Sequence, residues 1–215
     1  MQLSPSQRRR QANRERILDA AAQLVAIDGL EALSIARVAN LADYTPGALY
    51  RYFPSKEALL SALAVEATAR VGAALAGCEG PPLTRAVSCA QRYVRFASDE
   101  PHVFALLSTL TAEPRTLVDS TPHSDDVALA LTNVLAPVAA MLEAAASDGK
   151  LAQGDAMERA LMLWAALHGA LQLRKQASRL PALAESDLTS ALIRTLFIGF
   201  GANASAVSRA LRTAP

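Results

Sequence analysis

The chain has 215 residues, 21 Lys and Arg against 20 Asp and Glu, and a 52% hydrophobic fraction. So apolar a composition with so small a net charge excludes intrinsic disorder, and this length can bury the core of one large or two small domains. No unbroken apolar run reaches the ~20 residues of a membrane span. Val127–Leu142 is interrupted by Thr132, Asn133 and Pro137, and Ala160–Leu173 by His168. The basic N-terminus has no apolar segment behind it, so no secretory signal is visible and the expectation is a cytoplasmic protein without a membrane partner. Two cysteines, Cys78 and Cys89, are too few for a disulfide framework and lack metal-ligand spacing. The charge is uneven: residues 1–56 carry +3 and the remainder −2. A small basic head on a slightly acidic body suggests where a polyanion docks.

In chain order every element reads as helix, because apolar residues recur at period 3.6 and no β-branched alternation occurs. Ile17, Leu18, Ala21, Leu24 and Val25 share one face of a first helix, which Asp28-Gly29 stops. The Arg8-Arg9-Arg10 run ahead of it reads either as a flexible arm reaching phosphates or as a solvated tail. Ser34 caps a short helix to about Leu41, and Thr45-Pro46 opens another, proline at the first helical position losing no hydrogen bond. Ser55 then caps a long helix carrying Leu59, Leu63, Ala67, Val71 and Leu75. After the Gly/Pro break at 77–82 come longer helices. They are expected over Thr84–Ser98, from Pro101 to near Glu113-Pro114, from Ser124 to Ser147 with Pro137 inside, from Asp155 to about Ser178, and from near Glu185 onward. The expectation is an all-α fold of about nine helices, with a three-helix head at residues 1–54 and a larger body at 55–215.

Three short helices in about 40 residues is a local density that calls for explanation. The turn Ala42-Asp43-Tyr44 has the length of a helix-turn-helix connection. In such a pair the second helix enters the DNA major groove with its N-terminal residues nearest the base edges. Here that end presents Thr45, Pro46 and Gly47, where the near absence of side chain at Gly47 and Ala48 lets the backbone approach a duplex. An isolated helix of seven or so residues is unstable in water, so its neighbours must hold one face and leave the other available.

The strings Ser34-Ile-Ala-Arg-Val-Ala and Thr45-Pro-Gly-Ala-Leu-Tyr-Arg-Tyr-Phe-Pro-Ser-Lys-Glu-Ala-Leu-Leu resemble the DNA-binding head of the TetR/AcrR repressors over roughly residues 13–60. Gly149-Lys-Leu-Ala-Gln-Gly-Asp and Trp164-Ala-Ala-Leu-His-Gly resemble a C-terminal effector-domain subclass of the same family with a Trp…His-Gly signature. The resemblance implies that Ser34, Tyr50, Tyr52 and Lys56 meet phosphates, and that Thr45, Pro46 and Gly47 face bases. Arg51, at a variable position, would reach a guanine or a phosphate. Leu33, Val38, Leu49 and Phe53 read as the head's core. Asp43 and Tyr44 depart from the family's Gly and small aliphatic; Asp tolerates a left-handed backbone, and Tyr44 is large enough to lean towards the groove.

The resemblance further implies a dimer through the last two helices, for which Leu167, Leu171, Leu188, Leu192, Thr195 and Gly199 are the candidates. It also implies an effector cavity, with Tyr93, Phe96, Phe104, Leu107, Met141, Trp164 and His168 as candidate lining. Ordinary core packing is the competing reading for each aromatic, and a satisfied core histidine for His168. Arg95 is the one nearby charge, so the expected effector is mostly apolar. With two heads spaced on a double-stranded pseudo-palindromic operator, effector binding that swings the fourth helix would lower DNA affinity by a coupling energy of about 1–3 kcal/mol. The sequence carries no phosphate loop, nucleophile elbow or metal cluster, so no catalytic residue, metal or cofactor is expected and an enzyme is disfavoured. A net charge of +1 is small for an architectural DNA-coating protein. The same head on an activator or dual regulator would give the same sequence pattern as on a repressor.

Overall fold

The computed structural model describes residues 4–112, 122–177 and 187–213. Helices α1 (Pro5–Asp28), α2 (Ile35–Leu41), α3 (Pro46–Tyr50), α4 (Lys56–Leu75), α5 (Pro82–Asp99) and α6 (Pro101–Ala112) are followed by α7 (Pro122–Ser147), α8 (Ala156–Ala177), α9 (Leu188–Gly199) and α10 (Ala204–Thr213). One 3-10 turn, Leu30–Ala32, joins α1 to α2. Among the described residues there is no strand, so the fold is all-α. The expected helix end at Glu113-Pro114, the Pro181 separator and the expected start near Glu185 lie outside the described residues.

Two compact units are present: residues 1–68 with 101–130, and residues 69–100 with 131–215. In the first, α1 packs against α2 and α6, and α2 against α3. Its core holds Ile17, Leu18, Leu33, Val38, Leu49, Phe53, Leu59 and Leu63, all buried. In the second, α5 packs against α8, α9 and α10, and α8 against α9.

Three differences from the sequence expectation have local causes. Helix α1 starts at Pro5 because Ser4 and Gln7 cap it reciprocally, the Ser4 Oγ accepting from Gln7 N and the Gln7 side chain accepting from Ser4 N. Arg8, Arg9 and Arg10 are therefore exposed helical residues and not a flexible arm. A tenth helix follows α9 because Gly201 turns the chain at φ 96° and Asn203 then caps α10, its Oδ1 accepting from Ser205 N and Ala206 N. A side chain at Gly201 would meet the Ala152 backbone nitrogen at 2.8 Å, and that nitrogen donates to the Phe200 carbonyl at 2.9 Å. Third, 56–75 and 125–147 are each long and apolar enough on average to cross a membrane, with mean hydropathies of 1.5 and 1.7. Scattered polar residues such as Thr132 and Asn133 break an apolar run without lowering its mean far. Both segments contribute core residues, Leu59 and Leu63 in one and Leu142 and Ala145 in the other.

The Gly149-Lys-Leu-Ala-Gln-Gly-Asp string forms the corner between α7 and α8. Asp155 caps α8, its Oδ1 accepting from Glu158 N at 2.9 Å. Arg159 donates to the Ala152 and Gln153 carbonyls and lies over the Phe200 ring, 5.3 Å from its centroid.

Candidate nucleic-acid interface and effector cavity

Helix α3 has five residues and is fastened by its two ends and one side chain. Thr45 caps it, its Oγ1 accepting from Ala48 N at 3.2 Å, and Pro46 holds the first helical position. Leu49 is fully buried, and Phe53 just beyond is buried beneath the Arg14 guanidinium, 5.4 Å from the ring centroid. The preceding turn places Asp43 at φ 61°, the left-handed conformation its side chain tolerates, with Tyr44 N bonded to the Ala39 carbonyl at 2.8 Å. With Leu49 inward, Thr45, Pro46, Gly47, Tyr50 (53% exposed) and Arg51 face solvent.

Several hydroxyls here accept a bond from the protein and keep a proton to give, since a hydroxyl carries one donor and two acceptor sites. Thr45 is one. Ser34, the cap of α2, accepts from Arg37 N at 3.3 Å. Tyr52 accepts from Asn13 Nδ2 at 3.2 Å and is packed edge-on against Tyr44, with centroids 6.1 Å apart. Tyr44 is thus half-buried against a neighbouring ring. Lys56 opens α4 directly after its cap Ser55, whose Oγ accepts from Ala58 N at 3.1 Å. At Gly47 the backbone is helical and a methyl would meet nothing within 4 Å. The fold of the head therefore does not require glycine there.

The second unit contains a narrow apolar cavity of about 30 Å³, walled by Val71 and Leu75 of α4, Cys89 and Tyr93 of α5, Val134 and Val138 of α7, and Leu163, Trp164 and Leu167 of α8. Such a volume holds about one water. Beside it Tyr93, Trp164 and His168 form a polar relay. The Trp164 indole N–H is a donor only, so it donates to the Tyr93 oxygen. The Tyr93 O–H is then left to donate to His168 Nδ1, 2.6 Å away. Burial holds the tyrosine pKa above its ordinary range and pushes His168 down to about 4, so both are neutral. The His168 ring stacks on Trp164 at 5.1 Å, and Phe96 stacks on Tyr93 at 6.4 Å.

Of the expected lining residues, Tyr93, Phe96, Trp164 and His168 are thus gathered together. Met141 is half-buried on α7 and outside the cavity wall, Arg95 is exposed, and Phe104 and Leu107 belong to α6 in the first unit. The aliphatic residues of the wall are not among those expected from the sequence. Their signal was the i, i+4 pairs Val71/Leu75, Cys89/Tyr93 and Leu163/Leu167, which core packing produces equally well.

Two of the residues expected on a dimer face are buried within the chain itself. Leu167 is 1% and Leu171 7% exposed within a single chain, both being core residues of α8. The apolar stripe that α8 leaves outward is Met157, Leu161, Ala165 and Leu173, with Gly169 half-exposed between them. On α9, Thr195 and Gly199 are exposed and Leu188 and Leu192 half-buried. A side chain added at Gly169 or Gly199 would meet nothing within 4 Å.

The family pattern of bacterial regulatory proteins of the tetR family matches residues 17–63, and that of the tetracyclin repressor-like C-terminal domain matches residues 86–196. The chain belongs to the TetR family. It is similar to the HTH-type transcriptional repressor KstR of Rhodococcus jostii, 56% identical over 54 residues, 25% of this chain and 26% of that one. The match thus spans about a quarter of that relative's length. Among solved structures, full-length TylP of Streptomyces fradiae, a TetR regulator, superposes with a TM-score of 0.70 at 23% identity, covering 94% of this chain and 92% of that one. RolR in complex with resorcinol superposes with a TM-score of 0.65 at 20% identity, covering 96% of each chain. For this TetR-family chain the first matched segment contains all eight candidate DNA-facing residues, and the second contains Tyr93, Trp164 and His168.

Proposed function

We propose that this chain is a ligand-responsive transcriptional repressor that binds a pseudo-palindromic operator as a dimer and is released by a small, mostly apolar molecule. In this reading residues 1–54 read DNA, residues 55–215 bind effector and dimerise, and the protein works at the nucleoid or in the cytoplasm. The observation that carries it is the outward face of α3: Thr45, Pro46, Gly47 and Tyr50 stand in solvent on a helix held by buried Leu49.

Ser34, Tyr50, Tyr52 and Lys56 supply phosphate contacts, which position the head, while Thr45, Gly47 and Arg51 approach base edges, which specify the site. The exposed stripe of α8 with the Thr195 and Gly199 face of α9 supports pairing of two subunits, because small residues allow close helix approach. The cavity wall supports an apolar effector, since Tyr93 and Trp164 already direct their polar atoms into the relay with His168. A molecule of more than a few atoms must open a cavity of this size, so it selects a more open conformation. Helix α4 is the natural carrier of the response: it is unbroken from Lys56 at its start to Val71 and Leu75 in the cavity wall. An effector that shifts α4 lowers operator affinity by the same coupling energy with which DNA lowers effector affinity.

The test is fluorescence anisotropy with a labelled duplex from upstream of its own gene against a random duplex, at several salt concentrations. Selective binding that apolar compounds weaken is expected. Equal affinity for both duplexes would discard the repressor reading in favour of an architectural one.

A further inference from the structure

The chain's two cysteines lie eleven positions apart and meet in space. Cys89, on α5, is buried and forms part of the cavity wall; Cys78 stands half-buried in the turn after α4. Cys78 neighbours Cys89, and its thiol donates to the Leu75 carbonyl at 3.4 Å. The turn carrying Cys78 is fastened from α5 by Arg92, whose guanidinium donates to the carbonyls of Ala76 and Gly77. That guanidinium also brings positive charge to Cys89. An apolar wall needs no sulfur at position 89, and a surface turn needs none at position 78. Their pairing is what calls for a function.

We propose that Cys78 and Cys89 are a dithiol that a hydroperoxide oxidises to an intramolecular disulfide, altering the wall of the effector cavity. The chemistry stands without the effector reading; only its consequence for the cavity rests on that reading. Cys78, the more accessible sulfur, reacts first as thiolate. Its sulfur attacks the outer peroxide oxygen, the O–O bond breaks, and the departing alkoxide takes a proton to leave as alcohol. The sulfur is oxidised to a sulfenic acid and the peroxide is reduced. The Cys89 sulfur then attacks the Cys78 sulfur, the S–S bond forms, the S–O bond breaks, and hydroxide leaves as water with the Cys89 proton. Two thiols and one hydroperoxide thus give one disulfide, one alcohol and one water. Burial pushes the Cys89 thiol up to about 12, which disfavours it for the first attack and leaves that step to Cys78; Cys89 gives up its proton only as it attacks the sulfenic sulfur. In a reducing cytoplasm the dithiol is the resting form.

The sequence supplies two readouts. Trypsin cleaves after Arg70, Arg85 and Arg92, which puts Cys78 in peptide 71–85 and Cys89 in peptide 86–92. Trp164 is the chain's single tryptophan and shares the cavity wall with Cys89. The full-length protein is treated with tert-butyl hydroperoxide, alkylated and digested without reductant. The expected result is the two peptides joined and lighter by two hydrogens, with quenching of Trp164 emission, both reversed by dithiothreitol. Cys78→Ser and Cys89→Ala should each abolish both signals. Two alkylated cysteines after treatment, Cys78 carried to sulfinic acid without a link, a link between two chains, or quenching that persists in either variant would each overturn the proposal. Cys78→Ser should still release DNA on addition of apolar compounds, so failure here is distinguishable from failure of the repressor reading.

Discussion

In the head, a five-residue helix keeps Leu49 inside and turns Thr45, Pro46, Gly47 and Tyr50 to solvent. In the second unit, Tyr93, Trp164 and His168 turn their polar atoms towards one another beside an aliphatic wall. Under the proposed function, the difference follows from the partner each surface would face. A duplex offers charge and hydrogen-bonding edges, so the protein keeps donors uncommitted and exposed. An apolar molecule offers little beyond its surface, so the protein satisfies its own polar groups and leaves shape to discriminate.

The largest expected effect tests whether the exposed face depends on its buried anchor. Leu49→Ala should cost about 2–5 kcal/mol of stability, the range for a fully buried leucine, and abolish DNA binding as the head loosens. Urea denaturation followed by circular dichroism measures it; a fully stable variant would mean α3 is held by its caps alone. The inward-facing relay is tested by pH. His168 is depressed in the folded state to about 4 from an ordinary 6.5. Its stabilising contribution is therefore full above pH 6.5 and is lost as pH falls towards 4, with a limiting slope of about 1.4 kcal/mol per pH unit. His168→Gln should flatten that slope, and an unchanged slope would place the acid sensitivity elsewhere.

A smaller effect separates fold from function at the head. Gly47→Ala should leave stability unchanged or raise it by up to about 1 kcal/mol, because alanine is the better helix former and the site is open. Operator affinity should nevertheless fall about tenfold, which anisotropy reads as about 1.4 kcal/mol. Unchanged affinity would mean that the duplex does not approach Gly47. The smallest effect is electrostatic: Lys56→Ala should reduce the slope of log affinity against log salt by about 0.9, on every sequence tested. A variant that shifts sequence preference but not the salt slope would reassign Lys56 from phosphate to base.

The sequence made the head legible because its constraints are local. Ser34, Thr45 and Ser55 are caps, Pro46 a helix start and Asp43 a left-handed turn residue, each readable within a few positions and each found in that role. The tenth helix is not legible in the sequence because the turn before it, at Gly201, leaves no room for a side chain beside Ala152, a residue nearly fifty positions away. Which apolar face of α8 stays exposed is not legible in the sequence for a related reason. Leu161 and Ala165 are separated from Leu167 and Leu171 by a rotation of the helix, and periodicity fixes the spacing of an apolar face but not which of two faces meets the protein's own core.

By itself, then, the sequence determined the all-helical class, the capped short helices of the head and the residues that stand at their ends, since backbone hydrogen bonding and capping are decided between neighbours in the chain. The meeting of Tyr93 with His168, and of Cys78 with Cys89, depends on how distant segments pack. Only the tertiary structure decided that α8 turns Leu167 inward and Leu161 outward, because burial is settled by packing among distant segments, and no local pattern encodes which side of a helix its neighbours will cover.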